Sequence, residues 1–467
     1  MKLSDIIAKS GAEIISGEAC TEITAICCDS RKAVPGCLFI AVSGHDRDGH
    51  AYIESALQKG AAAAVSADRK GLAVIADNFY GHPSGKLRLV GITGTNGKTT
   101  TVTLLYSLFR DLGYECGLLS TIANYVGSRR CETTNTTSDP ITTNSLLAQM
   151  VDEGCEYCFM EVSSIGVEQE RIACLEFAVG IFSNLTHDHL DYHGTFAEYL
   201  RCKKMFFDNL PRTAVAVTNA DDRNGSVMVQ NTAAKVVTYS CRGAADHCCK
   251  IVEESFEGML LRLDGVEVWT KLVGAHNACN ILAIYTTALA LGADRDEVLL
   301  AVSKLESAPG RLEKMRGPKD ITVIIDYAHT PDAMENVLKT LRDVAPEREL
   351  VCLFGCGGDR DRSKRPEMAA AAEKFADRIF VTSDNSRSER TEDIIEDIKK
   401  GFSAKGMAKT VCIADRREAI RTAILLAPKG ATILLAGKGH ETYQIIGSET
   451  RHFDEREIVN ETFKTLN

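Results

Sequence analysis

Short apolar runs alternate with longer segments of helical periodicity along most of the chain, and many of the runs end in a polar or glycine-rich loop. The runs have the length of buried strands. The clearest one spans residues 87–93, and the segment after residue 97 has one apolar helical face. That face consists of Val102, Leu105, Leu108, Phe109 and Leu112. The alternation predicts an α/β protein with parallel sheets.

The pattern divides the chain into three units, the first of which covers residues 1–86. We predict strands at residues 37–42 and in the alanine-rich stretch after a helix at residues 51–59. The polar loop at residues 43–50 lies between the first strand and the helix. Such loops bind a ligand or are merely solvated, and the residues alone leave both readings open.

The second unit covers residues 87–310. Buried strands are predicted at residues 157–160 and 177–182, and the polar cluster at 135–140 predicts the start of a helix. Another helix is expected to begin within residues 273–280.

The third unit covers residues 311–467 and continues the strand–helix alternation. Four strands are predicted, each followed by a polar, glycine- or arginine-rich loop. They span residues 321–325, 350–354, 379–382 and 432–435. Because ligands bind beyond the carboxyl ends of parallel strands, we expect a ligand at this sheet edge.

The stretch 91–100 reads GITGTNGKTT and joins the first strand of the second unit to its helix. A glycine-rich turn before a helix lets backbone N–H groups converge on a phosphate. Lys98 would reach the terminal phosphates and the Thr99 hydroxyl would bind Mg²⁺. Ile92 stands where the strict phosphate-loop pattern has glycine, so only the compact core remains. An ordinary turn is the alternative reading, but the pattern favours an ATP site.

Two acidic features are candidates for a metal site. Glu161 follows a buried strand beside the phosphate loop, where Mg²⁺ is held in α/β ATP sites. Residues 187–193 contain three histidines and two aspartates. No second zinc-ligand pair accompanies them, and Mg²⁺-ATP prefers oxygen ligands. The spacing of Cys155 and Cys158 also lacks a second pair, so we expect no metal or redox role there.

Composition and charge narrow the class of protein. The 467 residues are 45% hydrophobic and 25% charged, which is typical of a soluble globular protein with several domains. The net charge of −10 argues against nucleic acid or an anionic membrane as partner. Seventeen scattered cysteines, no export signal at the start and no membrane-length apolar run favour reduced thiols and a cytoplasmic location.

Several motifs, in order along the whole chain, resemble those of the Mur ligases. This family comprises ATP-dependent amide-forming enzymes that build the peptide of the peptidoglycan precursor. The motifs are Asp29-Ser30-Arg31, the phosphate loop 94–100, Asn135-Thr136-Thr137, Glu161-Val162-Ser163-Ser164, residues 188–193 (DHLDYH), residues 326–332 (DYAHTPD) and residues 437–441 (GKGHE). The resemblance implies three domains: a small N-terminal α/β domain for the UDP end (1–86), a central parallel-sheet ATPase (87–310) and a C-terminal Rossmann-like domain for the amino acid (311–467).

The resemblance also implies site residues. The UDP-sugar-peptide site would be lined by Cys28, Ser30, His45, Asp46, Arg47, Thr136, Thr137, Ser163, Gln169 and Arg171. ATP would be bound by Gly94, Thr95, Asn96, Gly97, Lys98, Thr99, Thr100, Asn277, Arg311, Asp326 and His329. Mg²⁺ would be held by Thr99, Glu161, His189 and Lys203, with Lys98, Lys203, Glu161 and His189 as the catalytic set. Lys203 falls where the family carries a carbamylated lysine, whose anionic form can join a metal shell. An unmodified surface lysine is the alternative.

The closest branch of the family adds diaminopimelate to a UDP-muramoyl dipeptide through an acyl phosphate. Its amino-acid site would be formed by Arg360, Asp384, Asn385, Ser386, Arg387, Gly437 and Glu441. Arg387 would grip the distal carboxylate, unless it only pairs with Glu389 at the surface. Two positions depart from the family pattern: Ser386 replaces a proline and Ile165 replaces a histidine.

Other readings remain. The same enzyme could add L-lysine or another diamino acid. A folylpolyglutamate synthase-like ligase is disfavoured, because that branch would begin at the ATP loop. A nucleotide-binding scaffold without ligase activity is a third reading, and the ligand loops of the third unit argue against it. The substrates are expected to be small molecules, with no nucleic acid or membrane, and the protein a monomer.

Overall fold

The computed structural model describes residues 1–43, 48–133, 135–186 and 190–466, with only the backbone of residues 190 and 191. These residues form two compact units. The first unit contains Met1–Leu185, His193–Asp246 and Ala283–Ala301, and the second contains Thr186–Tyr192, His247–Leu282 and Val302–Asn467. Each unit is an α/β structure built on mainly parallel sheets, as the sequence predicts.

The N-terminal part of the first unit has a four-stranded sheet in the order β1-β4-β3-β2. Strand β1 is antiparallel to β4, and the other pairs are parallel. The strands are β1 (Glu13–Ser16), β2 (Ala25–Cys27), β3 (Cys37–Ala41) and β4 (Ala63–Ser66). The helices are α1 (Leu3–Ile6), α2 (Ile53–Gln58) and α3 (Arg69–Phe79).

The rest of the first unit is organised around a larger sheet in the order β12-β11-β10-β5-β9-β6-β7-β8. Its strands are parallel except for the β7–β8 ribbon at one end. They are β5 (Arg88–Thr93), β6 (Cys116–Leu119), β7 (Asn124–Val126), β8 (Arg129–Cys131), β9 (Tyr157–Glu161), β10 (Phe177–Phe182), β11 (Val215–Asn219) and β12 (Lys235–Ser240). The helices along this part of the chain are α4 (Lys98–Asp111), α5 (Pro140–Asp152), α6 (Ser164–Glu168), α7 (Leu190–His193), α8 (Phe196–Asp208) and α9 (Gly225–Met228).

The second unit contains a six-stranded sheet in the order β16-β17-β21-β18-β19-β20, parallel except for β16. Its strands are β16 (Glu313–Arg316), β17 (Thr322–Asp326), β18 (Leu350–Phe354), β19 (Arg378–Val381), β20 (Thr410–Cys412) and β21 (Thr432–Ala436). Antiparallel β13 (His247–Ser255), β14 (Gly258–Leu263) and β15 (Val266–Thr270), and the hairpin of β22 (Tyr443–Ile446) and β23 (Glu449–His452), complete its strands.

The remaining helices all follow β15 in the chain, and most of them alternate with the strands of the second unit. They are α10 (Ala275–Ala290), α11 (Arg295–Lys304), α12 (Pro331–Val344), α13 (Lys364–Phe375), α14 (Thr391–Lys399), α15 (Ala404–Ala408), α16 (Arg416–Leu426) and α17 (Glu455–Leu466). Two apolar clusters cover the six-stranded sheet and include its strands and the inner faces of α12, α13 and α16. The sheet is therefore buried on both faces, as expected for parallel strands.

The predicted helix after the phosphate loop is confirmed. Val102, Leu105, Leu108 and Phe109 are fully buried, and Leu112 ends the helix as its half-buried C-cap. The helix predicted after residue 135 begins at Pro140, because the Asp139 side chain accepts from the N–H groups of Ile141 and Thr142.

One predicted helix is shorter than expected. Residues 49–52 form a 3-10 turn, and α2 begins only at Ile53. The Asp48 side chain accepts from the His50 N–H and so closes a tight turn before the helix. Within the described ranges, no helix is both long enough and apolar enough to span a bilayer.

Candidate active site

The phosphate loop lies between β5 and α4 and is held by the end of β10. Asn184 accepts from Thr95 N through its carbonyl (2.8 Å) and from Asn96 N through its side chain (2.9 Å). A Cβ on Gly94 would lie 1.9 Å from Ser183 Oγ, so only glycine allows this approach. The first turn of α4 opens from this loop, which is the geometry of an anion site.

Lys98 is the first residue of α4 and is half-buried. Its Nζ donates to the carbonyl oxygens of Gly94 and Thr95, both at 2.9 Å. The ammonium group therefore lies over the loop where phosphates would sit. A nucleotide phosphate is a stronger, charged acceptor that can replace these carbonyls.

Lys203 reaches the same loop from α8. Its Nζ donates to Gly94 O (2.8 Å) and lies 3.4 Å from Thr93 Oγ1, with the Tyr199 ring centroid 4.8 Å away. The side chain is only 1% exposed, so the alternative of a surface lysine is wrong. Tyr199 also places its hydroxyl 3.1 Å from Thr95 Oγ1. Helix α8 thus contributes two side chains to the phosphate loop.

Glu161 ends β9, the strand next to β5, and is 1% exposed. Its carboxylate accepts from Thr121 N (2.8 Å) and Thr121 Oγ1 (3.2 Å). Both donors shown for this carboxylate in the described part of the chain are neutral. A buried carboxylate bonded only to neutral donors is suited to a bound cation. Thr99, the other described oxygen donor of the predicted set, is buried in the first turn of α4.

Five of the residues predicted for the sugar-peptide substrate lie close to Glu161. Thr137 Oγ1 donates to Glu161 O and accepts from Ser163 N, both at 3.0 Å. Arg171 donates to Thr137 O (2.7 Å). Its Nε and Nη2 both donate to Gln169 Oε1 (3.1 and 2.7 Å). Thr136 is joined to the same group through Thr121 Oγ1, at 3.0 Å. These contacts form one polar cluster beside the phosphate-loop strand.

The other residues predicted for this substrate lie in the N-terminal sheet region. Cys28 is exposed, and Ser30 is buried in a turn capped by the Asp29 side chain. His45, Asp46 and Arg47, like the metal candidate His189, lie outside the described residues. In the described ranges, no hydrogen bond joins Cys28 or Ser30 to the cluster around Thr137.

In the second unit, Asp326 ends β17 and accepts from Leu312 N (2.7 Å) and Ala328 N (2.8 Å). Burial raises the pKa of its carboxyl, although the Arg311 charge opposes the shift. Arg311 lies 4.9 Å from the Tyr327 ring centroid, and His329 Nδ1 lies 2.8 Å from Tyr327 O. Three of the residues predicted to bind ATP, Arg311, Asp326 and His329, are thus gathered around Tyr327.

Asn277, also predicted to bind ATP, lies in the first turn of α10, where its Nδ2 donates to Val273 O (2.9 Å). Next to Tyr327, burial lowers the pKa of His440 to about 3, so this imidazole is neutral at physiological pH.

The amino-acid loops follow β18, β19 and β21. Arg387, half-buried after β19, has a positive φ of 50°. The hairpin holds its backbone, because Arg387 N donates to Ile445 O (3.3 Å) and Gly447 N donates to Arg387 O (2.8 Å). Its Nη1 donates to Gly358 O (2.9 Å) and lies 3.4 Å from Asn385 O. A Cβ on Gly357 would lie 3.1 Å from Arg387 Nη1 and 3.6 Å from Arg360 Cγ, so both arginines flank Gly357.

The alternative pairing of Arg387 with Glu389 is wrong. Glu389 accepts from Arg362 (2.6 Å), Arg365 (2.8 Å) and the Asp359 N–H (2.7 Å). No carboxylate lies within 4.0 Å of the Arg387 guanidinium among the residues that the structure describes. Because a half-buried guanidinium gains from an anionic partner, Arg387 is suited to a carboxylate ligand.

Asp384, Asn385 and Glu441 meet at Lys438, which is completely buried. The Asn385 Nδ2 donates to Glu441 Oε2 at 3.0 Å. Gly437 has φ +111°, and a Cβ there would lie 2.7 Å from Asp384 Oδ2, which explains the glycine. Burial would raise the pKa of Asp384, but the charges of Lys438 and Arg416 hold it below its ordinary value. Ser386 is buried between these loops.

Several residues that shape these sites were missed by the sequence reasoning. Thr121, Tyr199, Asn184 and Lys438 contact predicted residues directly. Arg416 and Arg365 hold the neighbouring loops through Ser383 O and Gly357 O. Asn184 and Lys438 stand in polar loops that directly follow buried strands. That position is the sequence feature that could have identified them. Thr121, Tyr199 and Arg416 carry no local pattern, because their partners are distant in the sequence.

Three family models match consecutive parts of the chain. The model described as "Mur ligase family, catalytic domain" matches residues 22–88, "Mur ligase middle domain" residues 92–288 and "Mur ligase, glutamate ligase domain" residues 310–439. Together they cover the phosphate loop, Glu161, Lys203 and the loops after β17 to β21.

Full-length relatives are similar over the entire chain. A protein of Cytophaga hutchinsonii named UDP-N-acetylmuramoyl-L-alanyl-D-glutamate–2,6-diaminopimelate ligase is 48% identical, with 100% of both chains covered. A protein of Phocaeicola vulgatus with the same name is 49% identical over 99% of each chain. A solved structure of an enzyme with this name has a TM-score of 0.71 and 31% identity, and covers 100% of this chain and 99% of its own.

Proposed function

The chain belongs to the Mur ligase family, and from that premise we propose that it adds diaminopimelate to UDP-N-acetylmuramoyl-L-alanyl-D-glutamate in an ATP-dependent amide ligation. This reaction is a step in building the peptidoglycan peptide. The observation that carries the amino-acid assignment is the grouping of Arg387, Asn385 and Glu441 at one sheet edge. We place the domain boundaries at residues 1–86, 87–310 and 311–467.

The phosphate loop supports the first half of the reaction. ATP transfers its terminal phosphoryl group to the terminal carboxylate of the dipeptide, which gives an acyl phosphate and ADP. Lys98 is placed to offset the charge on the transferred group, because its Nζ already lies over the loop carbonyls. Asn184 keeps the loop rigid, so that little reorganisation accompanies binding.

Mg²⁺ fits the buried carboxylate of Glu161. Glu161 and Thr99 would hold it, together with His189 and a carbamylated Lys203. When bound, the cation would supply positive charge beside the transferred phosphoryl group. Lys203 in its unmodified form is itself positively charged and repels the cation, so carbamylation is the modification that makes it a ligand.

The polar cluster around Thr137 is the proposed site for the peptide end of the UDP-linked substrate. The Thr137 carbonyl accepts from Arg171, and its hydroxyl accepts from Ser163 N and donates to the carbonyl of Glu161 at the end of β9. A carboxylate bound here would lie near the residues proposed for the phosphoryl transfer. Cys28, Ser30 and residues 45–47 are proposed to line the UDP end.

In the second half of the reaction, the free amine of diaminopimelate attacks the acyl phosphate and phosphate leaves. The distal end of diaminopimelate carries an ammonium and a carboxylate. Arg387 is suited to the distal carboxylate, and Glu441 to the ammonium. Arg360, beside Gly357, is proposed to bind the other carboxylate. Lysine lacks the distal carboxylate and would leave the half-buried Arg387 without an anion.

A panel of amino acids tests this function directly. Purified protein is mixed with ATP, Mg²⁺ and the UDP-muramoyl dipeptide, and then with diaminopimelate isomers, lysine or ornithine. We expect phosphate release and amide formation that depend on both the dipeptide and diaminopimelate. Equal efficiency with lysine would show that the alternative amino acid is correct. Phosphate release with no amino-acid dependence would overturn the ligase assignment.

We further propose that the enzyme acts as a cytoplasmic monomer, which size-exclusion chromatography with light scattering tests.

A further inference from the structure

Lys438 contacts three of the residues proposed for the amino-acid site, Asp384, Asn385 and Glu441, but the proposed function gives it no role. Its Nζ donates to Asn385 Oδ1 (2.8 Å), Glu441 Oε2 (3.1 Å) and Tyr443 O (2.8 Å). Asp384 Oδ1 lies 3.4 Å away. The side chain is 0% exposed.

An ammonium group has three protons, and these three acceptors use all of them. Lys438 therefore has no donor left for a substrate carboxylate, and its burial keeps it out of contact with bound ligand. It acts through the groups that it holds, not on the substrate itself.

The effect on Asn385 is specific. Its Oδ1 accepts from both Lys438 Nζ and Ile445 N (2.9 Å), so the amide oxygen faces inward. The Nδ2 end is then turned toward Glu441. Without Lys438, one of the two donors that define this orientation is lost, and a flipped amide would set its oxygen against the Glu441 carboxylate.

The effect on charge is equally direct. Asp384, Glu441 and Lys438 together carry a net charge of −1, since two carboxylates meet one ammonium. Glu441 Oε2 is occupied by Lys438 and Asn385, while its Oε1 lies 3.4 Å from the Tyr327 hydroxyl. Glu441 Oε1 thus remains an acceptor for an ammonium, and Arg387, whose Nη1 lies 3.4 Å from Asn385 O, is a separate cation.

We propose that Lys438 is a positioning residue that sets selectivity for an amino acid whose distal end carries both an ammonium and a carboxylate. It does so by fixing the Asn385 amide and neutralising one of two buried carboxylates. In this way Lys438 orders the loop after β19, in which Ser386 does not restrict φ as a proline would. This inference rests on the proposed ligase function.

The test compares Lys438→Met and Lys438→Gln with wild type, using the complete protein and the two substrates diaminopimelate and lysine. Lys429→Met is the matched control, because Lys429 is an exposed lysine of the same unit. We expect both Lys438 variants to raise KM for diaminopimelate roughly tenfold and to lower the diaminopimelate-to-lysine ratio of kcat/KM by a similar factor. KM for ATP should stay within about twofold of wild type.

A double-mutant comparison separates positioning from general stability. In an Asn385→Ala background, Lys438→Gln should change the ratio much less than it does alone, because the amide through which it acts is gone. An unchanged ratio in a folded Lys438→Gln protein, or equal effects in both backgrounds, would overturn the proposal. If Lys438→Met does not fold, the glutamine variant alone decides the outcome. A wild-type protein that makes no amide with diaminopimelate overturns the ligase proposal instead, and the two failures are thereby distinguished.

Discussion

The Nζ of Lys203 lies 2.8 Å from the carbonyl oxygen of Gly94, although 109 positions separate the two residues in the chain. This contact brings α8 to the phosphate loop. It buries a lysine beside the place where the ATP phosphates and Mg²⁺ are proposed to bind. It makes Lys203 the residue whose chemical state most directly tests the proposed chemistry.

If Lys203 is carbamylated, replacing it with alanine should remove nearly all ligase activity, because a metal ligand is lost. Added short-chain carboxylates should partly restore turnover by occupying the vacated space. Activity assays with and without acetate measure this, and intact-protein mass spectrometry of a carbon dioxide-saturated sample reports the modification. Lys204→Ala is the control, since Lys204 is the neighbouring lysine of α8 and pairs with Asp208 on the same helix. An active preparation whose Lys203 is an unmodified amine contradicts the carbamylation.

Replacing Lys98 with alanine should abolish phosphoryl transfer and leave the fold intact. Its Nζ bonds to Gly94 O and Thr95 O lie within the loop, and its loss removes the cation that faces the phosphates. We expect turnover to fall on the order of 100-fold or more. Steady-state phosphate release measures turnover, and circular dichroism checks the fold. Lys235→Ala, an exposed lysine on β12, should retain full activity. A Lys98 variant with substantial turnover would exclude the assigned role.

Replacing Arg387 with alanine or lysine should weaken binding of diaminopimelate selectively. The guanidinium is held by carbonyl oxygens and is free of carboxylate partners among the described residues, so its proposed anion is the substrate. We expect KM for diaminopimelate to rise tenfold or more, equivalent to about 1.4 kcal/mol, with KM for ATP nearly unchanged. Arg390→Ala is the control, because the exposed Arg390 side chain pairs with the exposed Glu392. Equal increases in both Michaelis constants would point to a folding defect instead.

The Arg365–Glu389 pair predicts a pH-dependent contribution to stability. Hydrogen bonds from Arg365 lower the pKa of Glu389 from 4.5 to about 2. Because the charged form is favoured in the folded state, this contribution is complete above about pH 4.5 and is lost as the pH falls toward about 2. Glu389→Gln should therefore lower the free energy of unfolding at neutral pH, and its difference from wild type should shrink in acid.

Chemical denaturation of both proteins across this pH range measures the difference, with the exposed Glu392→Gln as control. A difference that stays constant from neutral pH to about pH 3 would show that the Glu389 charge is not responsible.

Local patterns in the sequence were sufficient for the elements that carry the site. The β5–loop–α4 unit was predictable because strand burial, the glycine-rich turn and the apolar helical face are all set by neighbouring residues. For the same reason, Asp139 as a helix cap and the four strands of the third unit could be predicted. Glu161 was a candidate because a carboxylate at the end of a buried strand needs a partner.

Pairings between distant residues were decided by the tertiary structure. Whether Glu389 binds Arg387 or Arg365 could not be predicted from spacing, since two arginines near one carboxylate are equivalent until the chain folds. Lys438 stood in a recognised motif, but its partner Asn385 lies 53 positions away. Local sequence determines backbone conformation over a few residues. Burial and charge pairing instead depend on the order of strands in the sheet, because that order decides which strand ends lie side by side.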